Sequence, residues 1–201
     1  MTSCAVISAI VCVLITTVAV IVAFATPNWV KFENLPVVDQ PDSLCDCANC
    51  ECGLWLHCLG GFTDDGSIDN CRWFFSNDFR IEKKLPSWFK AVQGLMSCAV
   101  ATSLLSLLIG LFSLCCYCRS CSAHQAAGVF INLTFLLLAV AVALFGAKSH
   151  LDYDIEVEAS DDSQVVSIFG WSFWVAVGAG GMALISSVLY ICVGRKDDEY
   201  V

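Results

Sequence analysis

The stretch AVISAIVCVLITTVAVIVAFA, residues 5–25, runs for 21 positions without an Asp, Glu, Lys or Arg. A helix rises about 1.5 Å per residue, so roughly 20 such residues cover the hydrocarbon core of a bilayer. Three more stretches share the property: residues 91–114, 126–147 and 169–193. In lipid the backbone must satisfy its own hydrogen bonds, which makes each of them a helix. The composition agrees: 58% of the 201 residues are apolar and 14% are charged, against about 25% charged in an ordinary soluble domain. Four buried helices of a soluble protein would not all be this long and this free of charge.

The first stretch has a rival reading. Ala23-Phe24-Ala25 has the small-x-small form of a signal-peptide cleavage site. Two features oppose it. Residues 1–4 contain no Lys or Arg, and the apolar run is far longer than the usual 7–15 or so. The expectation is an uncleaved first span.

Four spans divide the rest of the chain between two sides. Residues 1–4, 115–125 and 194–201 are short and lie together; residues 26–90 and 148–168 are longer and face the other way. The short pieces carry Arg119, Arg195 and Lys196, which favours the cytoplasm for them and for both termini. Long loops translocate largely regardless of charge, so the bases between Lys31 and Lys90 do not oppose this.

Cysteine usage gives an independent vote. Six of the fourteen cysteines, Cys45, Cys47, Cys50, Cys52, Cys58 and Cys71, fall in the first outer loop. An even number outside the cell reads as a disulfide framework. Cys115, Cys116, Cys118 and Cys121 sit where the second span meets the short inner loop, where cytosolic cysteines are candidates for palmitoylation or simply reduced thiols. Cys4, Cys12, Cys98 and Cys192 lie in or near spans and are expected to be small packing residues.

The run CDCANCECGLWLHC, residues 45–58, admits three chemistries. Zinc sites use a C-x₂₋₄-C pair with a second, distant pair, whereas these pairs are crowded together. Cys47-Ala-Asn-Cys50 has redox spacing but lacks the βαβ context of such sites. Disulfides remain, with Cys58 and Cys71 as the first expected pair, stabilising the loop by about 3 kcal/mol in the chain-entropy model. Two further bridges among Cys45, Cys47, Cys50 and Cys52 are expected, their connectivity open. His57 beside Cys58 has the residue types of a nucleophilic pair; a loop histidine next to a bridged cysteine is the plainer reading.

Pro27-Asn28-Trp29 after the first span, then Gly53-Leu54-Trp55, Cys58 and Cys71, resemble the W…GLW…C…C signature of the claudin superfamily. That superfamily holds claudins, epithelial membrane proteins, peripheral myelin protein and receptor-associated subunits. Phe89-Lys90-Ala91-Val92-Gln93 and Phe169-Gly170-Trp171-Ser172-Phe173 open the second and fourth spans in the same manner. The resemblance covers nearly the whole chain and is nearest to an invertebrate-type claudin. It implies an all-α membrane fold: a left-handed four-helix transmembrane bundle with a small extracellular antiparallel β-sheet from the two outer loops. Trp29, Gly53, Leu54, Trp55 and the Cys58–Cys71 bridge would anchor that sheet. Trp73, Trp88, Trp171 and Trp174 are expected near the membrane interfaces. The Cys45–Cys52 group departs from the single bridge of the family.

The outer loops are acidic: residues 26–90 carry about −4 and residues 148–168 about −5. Such a field attracts cations, and Asp64 and Asp65 are the candidates for charge selectivity along an aqueous path between apposed cells. The alternative is that these acids are solvated surface. Asp152-Tyr153-Asp154-Ile155-Glu156-Val157-Glu158 alternates acid with apolar and predicts a strand with one wet face. The ending Tyr200-Val201 resembles the C-terminus by which many claudins add a strand to PDZ scaffolds.

No span carries an embedded acid or base, which argues against a transporter. The chain has no P-loop, GxSxG or HExxH motif, so neither an enzyme nor a cofactor or metal site is expected. Asn132-Leu133-Thr134 is a formal glycosylation sequon inside a span. Ala176-x-x-x-Gly180 and Ala179-x-x-x-Ala183 allow close helix approach and are expected to pack within the chain. The expected role is a paracellular barrier protein that associates within and across membranes. The alternative is an auxiliary or trafficking four-span protein.

Overall fold

A computed structural model describes residues 2–33, 44, 50–59, 71–74, 85–115, 123–153, 155, 157 and 166–198. Four helices account for most of them: α1 (Thr2–Ala25), α2 (Ser87–Cys115), α3 (Ala123–Tyr153) and α4 (Trp171–Asp198). Each contains a window long and apolar enough to cross a membrane: Val6–Ala25, Ser87–Ser113, Gln125–Tyr153 and Trp171–Cys192. Among the described residues there are five short strands: β1 (Val30–Glu33), β2 (Cys50–Cys52), β3 (Leu56–Leu59), β4 (Cys71–Trp73) and β5 (Val166–Phe169). They form one antiparallel sheet in the order β4-β3-β2-β1-β5. The four-span helical fold with a sheet drawn from both outer loops is thus present.

The chain divides into two compact units. The helical unit takes Met1–Ile21, Gly94–Ala141 and Ala176–Val201. Its interior mixes small and hydroxyl side chains with larger apolar ones such as Met96 and Leu138. Ala9, Val13, Ala127, Ile131, Ala183 and Tyr190 form one buried cluster. Because lipid tails are as apolar as leucine, helices in a bilayer associate through close packing and interhelical hydrogen bonds. The Thr102 and Thr134 hydroxyls lie 2.8 Å apart, and Ser106 Oγ donates to Ala127 O at 2.8 Å. Thr134 is therefore the buried partner of Thr102, and the sequon it completes is part of a helix contact. Gly128 and Gly110 let Tyr190 approach; a Cβ on Gly128 would stand 3.1 Å from Tyr190 Cβ. Gly180 faces Leu138 and Ala183 joins the cluster, so the small-residue motif of α4 packs inside the chain as expected. The opposite helix faces expose Ile7, Val11, Leu14, Val18, Leu108, Leu136 and Val140, which is the surface a lipid solvent wants.

Two expectations fail in the helices. Cys98 and Cys192 were expected as interior packing residues, yet both are exposed, and Cys12 is half-buried. Buried positions are taken instead by residues such as Ala99, Ala127, Thr102 and Ser106, and the Ser and Thr hydroxyls can bond a facing carbonyl. The side chain of Cys4 lies outside the described residues. The predicted strand over residues 152–158 is also absent at its start, where α3 continues through Tyr153. Lys148 Nζ sits 3.7 Å from Asp152 Oδ1 at i,i+4, a pair that solvates and supports a helix end. The free edge of β1 pairs with the apolar strand Val166–Phe169.

The cap unit takes Val22–Gln93 and Val142–Val175. It holds the five described strands together with the helix residues inside those ranges.

Candidate functional site

The cap is assembled around Trp29, which is fully buried. Its indole Nε1–H donates to Ala23 O at 2.7 Å, closing the last turn of α1 onto the start of β1. Its backbone N–H donates to Cys52 O at 3.0 Å, which continues the β1–β2 ladder. Its ring meets Phe145 of α3 edge-on at 4.8 Å and Phe173 of α4 at 6.0 Å. Phe145 is a hub: Trp88, Phe89, Phe169 and Phe173 also lie within 6.4 Å of it. Edge-to-face contacts of this kind add about 0.5–1.5 kcal/mol each beyond burial.

The Gly-Leu-Trp stretch works through three different contacts. Gly53 lies against the α1–β1 connection, where a Cβ would stand 2.5 Å from Pro27 Cα and 2.6 Å from Thr26 O. Only glycine fits there. Leu54 is fully buried, and its carbonyl accepts from Gln93 Nε2 of α2 at 2.6 Å. Trp55 packs on Phe24 of α1 at 5.4 Å, and its carbonyl accepts from Phe74 N.

Asn28 closes the fourth corner. Its Oδ1 accepts from Trp171 N at 2.9 Å and its carbonyl from Ser172 N at 2.9 Å. Helix N-termini leave their first N–H groups without intrahelical partners; here a residue from the α1–β1 connection caps α4. The approach is tight enough that a Cβ on Gly170 would collide with Asn28 Oδ1 and its carbonyl oxygen. The Thr26 and Ser172 hydroxyls meet at 2.7 Å beside it.

Cys58 and Cys71 form the expected disulfide across the β3–β4 pair. Cys50 and Cys52 are also disulfide-bonded, which removes both as thiolate ligands or redox thiols. Cys45 and Cys47 lie outside the described residues, as do Asp64, Asp65, Cys116, Cys118, Cys121, Tyr200 and Val201. Cys115 ends α2. Trp73, Trp171 and Trp174 are exposed as interfacial residues should be, while Trp88 is half-buried against Phe89, Phe145 and Tyr153.

Side chains alternate across the sheet. Lys31 on β1, Glu51 on β2 and Cys58 on β3 are register neighbours on one face. Cys52, His57 and Arg72 follow one another on the other. His57 is 1% exposed. Burial, and then the Arg72 charge, push its imidazole below the usual 6.5. The folded cap holds this ring neutral, whereas the unfolded chain protonates it near 6.5. Stability is then complete above that pH and is lost as pH falls toward the lower folded value. Thermal melts of the purified protein should be flat above about pH 7.5 and decline below about pH 6.5, the ordinary histidine range. His57→Gln should flatten that acid limb. An unchanged limb would show that other groups control it.

Trp29, the Gly-Leu-Trp stretch and the Cys58–Cys71 bridge all lie within this one unit. Sequence reasoning did not single out Asn28 or Phe145. Asn28 carried a signal, being a polar residue between Pro27 and Trp29. Phe145 had none within its apolar run. The family model described as PMP-22/EMP/MP20/Claudin tight junction matches residues 14–192. No curated protein matches the chain.

Proposed function

The chain belongs to the PMP-22/EMP/MP20/claudin family, and from that membership we propose that it is a structural protein of cell–cell junctions that forms or regulates a paracellular barrier. Its place is a lipid bilayer, which four apolar spans occupy. The observation that carries the reading is the cap: a five-stranded sheet from both outer loops, stapled by Cys58–Cys71 and held to helix ends by Trp29, Asn28 and Gln93. A rigid outer surface of this kind suits association side by side and across a gap better than catalysis. On this reading the protein sits in the plasma membrane with both termini in the cytoplasm. Cys115, Cys116, Cys118 and Cys121 are then available to acylation, and Tyr200-Val201 to a PDZ scaffold. The acidic excess of the outer loops, about −4 and −5, favours cations over anions, with Asp64 and Asp65 as the residues tested first.

The second reading is an auxiliary or trafficking protein of the PMP-22 or EMP kind, which the Val92-Gln93 and Phe169–Phe173 stretches fit equally well. Tagged full-length protein in a polarised epithelium separates the two. A continuous line at cell contacts, thinned by deletion of Val201, supports the junctional role; diffuse surface staining supports the second. In the same cells Asp64→Lys with Asp65→Lys should lower the preference for Na⁺ over Cl⁻ in dilution potentials. An unchanged preference would remove the charge assignment.

A further inference from the structure

The cap unit contains a cavity of about 590 Å³ that the barrier reading does not use. Gly146, Ala147 and His150 of α3 form one wall, Phe173 and Trp174 of α4 another, and Ile155, Val157 and Phe169 complete it. The volume is in the range of small-molecule sites. Three observations say what fills it.

The first is position. Both helical walls belong to membrane-spanning windows, Gln125–Tyr153 and Trp171–Cys192, at the ends that adjoin the second outer loop. Trp174 is 46% exposed, as an interfacial tryptophan is. One wall of the cavity, Trp174, is thus part of the exposed surface of α4. The second is chemistry. The lining is almost wholly apolar, and no Lys or Arg is among the residues that form it. A phosphate headgroup would lack the charged donors that bind it elsewhere. The third is the one polar group. His150 Nδ1 donates to Ile155 O at 3.1 Å, and in that tautomer Nε2 is an acceptor. A single hydroxyl matches that acceptor.

We propose that this cavity holds a sterol-type membrane lipid, its rigid apolar body between α3 and α4 and its hydroxyl donating to His150 Nε2. The flat faces of Phe169, Phe173 and Trp174 suit a fused-ring body better than a flexible chain, which would lose more rotational freedom on entry. The inference needs the membrane placement and not the junctional role, so it stands or falls separately from the function proposed above.

The test uses the full chain in phosphatidylcholine nanodiscs containing a photoreactive sterol, with a photoreactive phosphatidylcholine in parallel samples. Sterol adducts should map within residues 146–174 and be competed by unlabelled sterol. Ala147 is exposed, so Ala147→Trp fills the cavity without overpacking a core and should abolish those adducts. Retention of the Cys58–Cys71 bridge on a non-reducing gel confirms that this variant is folded. His150→Ala should weaken competition about fivefold, the loss of one hydrogen bond, and His150→Gln should restore most of it. Equal labelling by phosphatidylcholine would overturn the proposal. So would adducts confined to other segments, persistence of labelling in Ala147→Trp, or chain-to-chain adducts that show a second copy in the cavity.

Discussion

Replacing Trp29 with alanine is expected to unfold the cap at physiological temperature. Removing a buried tryptophan costs about 3–5 kcal/mol in transfer and cavity terms, and typical domains hold only about 5–15 kcal/mol in all. Trp29 also does what no aliphatic residue can. Its Nε1–H satisfies Ala23 O at the end of α1, a position where helix carbonyls lack intrahelical partners. Its ring joins the cluster around Phe145 and Phe173. Trp29→Phe separates these roles: it keeps an aromatic in the cluster and loses the bond to Ala23. The expected order of thermal midpoints in detergent is wild type, then Trp29→Phe, then Trp29→Ala, with surface delivery falling in parallel. Equal midpoints for Trp29→Phe and wild type would mean that the indole bond contributes nothing. A Trp29→Ala variant that melts like wild type would remove Trp29 as the anchor.

The fold was legible wherever a physical requirement is written locally. Lipid demands long uncharged helices, and four such runs stand in the chain. An oxidising outer face makes a paired set of cysteines useful, and Cys58 and Cys71 meet across β3 and β4. What was not legible depends on distant partners. Phe145 looks like any other apolar residue of α3; it becomes a hub because β1 and the start of α4 deliver Trp29, Phe169 and Phe173 to it. Asn28 caps a helix that begins 143 positions later in the chain, and no local pattern encodes that. The alternation over residues 152–158 was misread for the same reason. Period two predicts a strand only where the chain is free to extend, and here α3 continues through Tyr153 while β1 takes Val166–Phe169 as its neighbour. The cysteines of α2 and α4 show the converse error: their small size suggested packing residues, but alanines and hydroxyl residues such as Ala127 and Ser106 take the buried helix positions, and Cys98 and Cys192 are left exposed.

Converting Cys58 and Cys71 together to serine is expected to produce the other large loss. The bridge closes a loop with a sequence separation of 13, for which the chain-entropy model gives about 3 kcal/mol, and removal of native disulfides from small extracellular domains costs about 2–5 kcal/mol. The effect should exceed the entropic figure. Strands β2 and β4 have three residues each, too short to hold register by pairing alone, and Cys58 is fully buried. A serine hydroxyl at that position needs a hydrogen bond that a sulfur did not. The single variants differ in kind from the double. Cys58→Ser leaves Cys71 as a lone thiol, open to exchange with other disulfides through a mixed disulfide. Non-reducing gels should then show mispaired species for either single variant and none for the double, while the double variant shows the lower protease resistance expected of an open β3–β4 hairpin. If the double variant resists protease as well as wild type, the sheet is held by its contacts with Trp29, Leu54 and Gln93, and the bridge is dispensable to the cap.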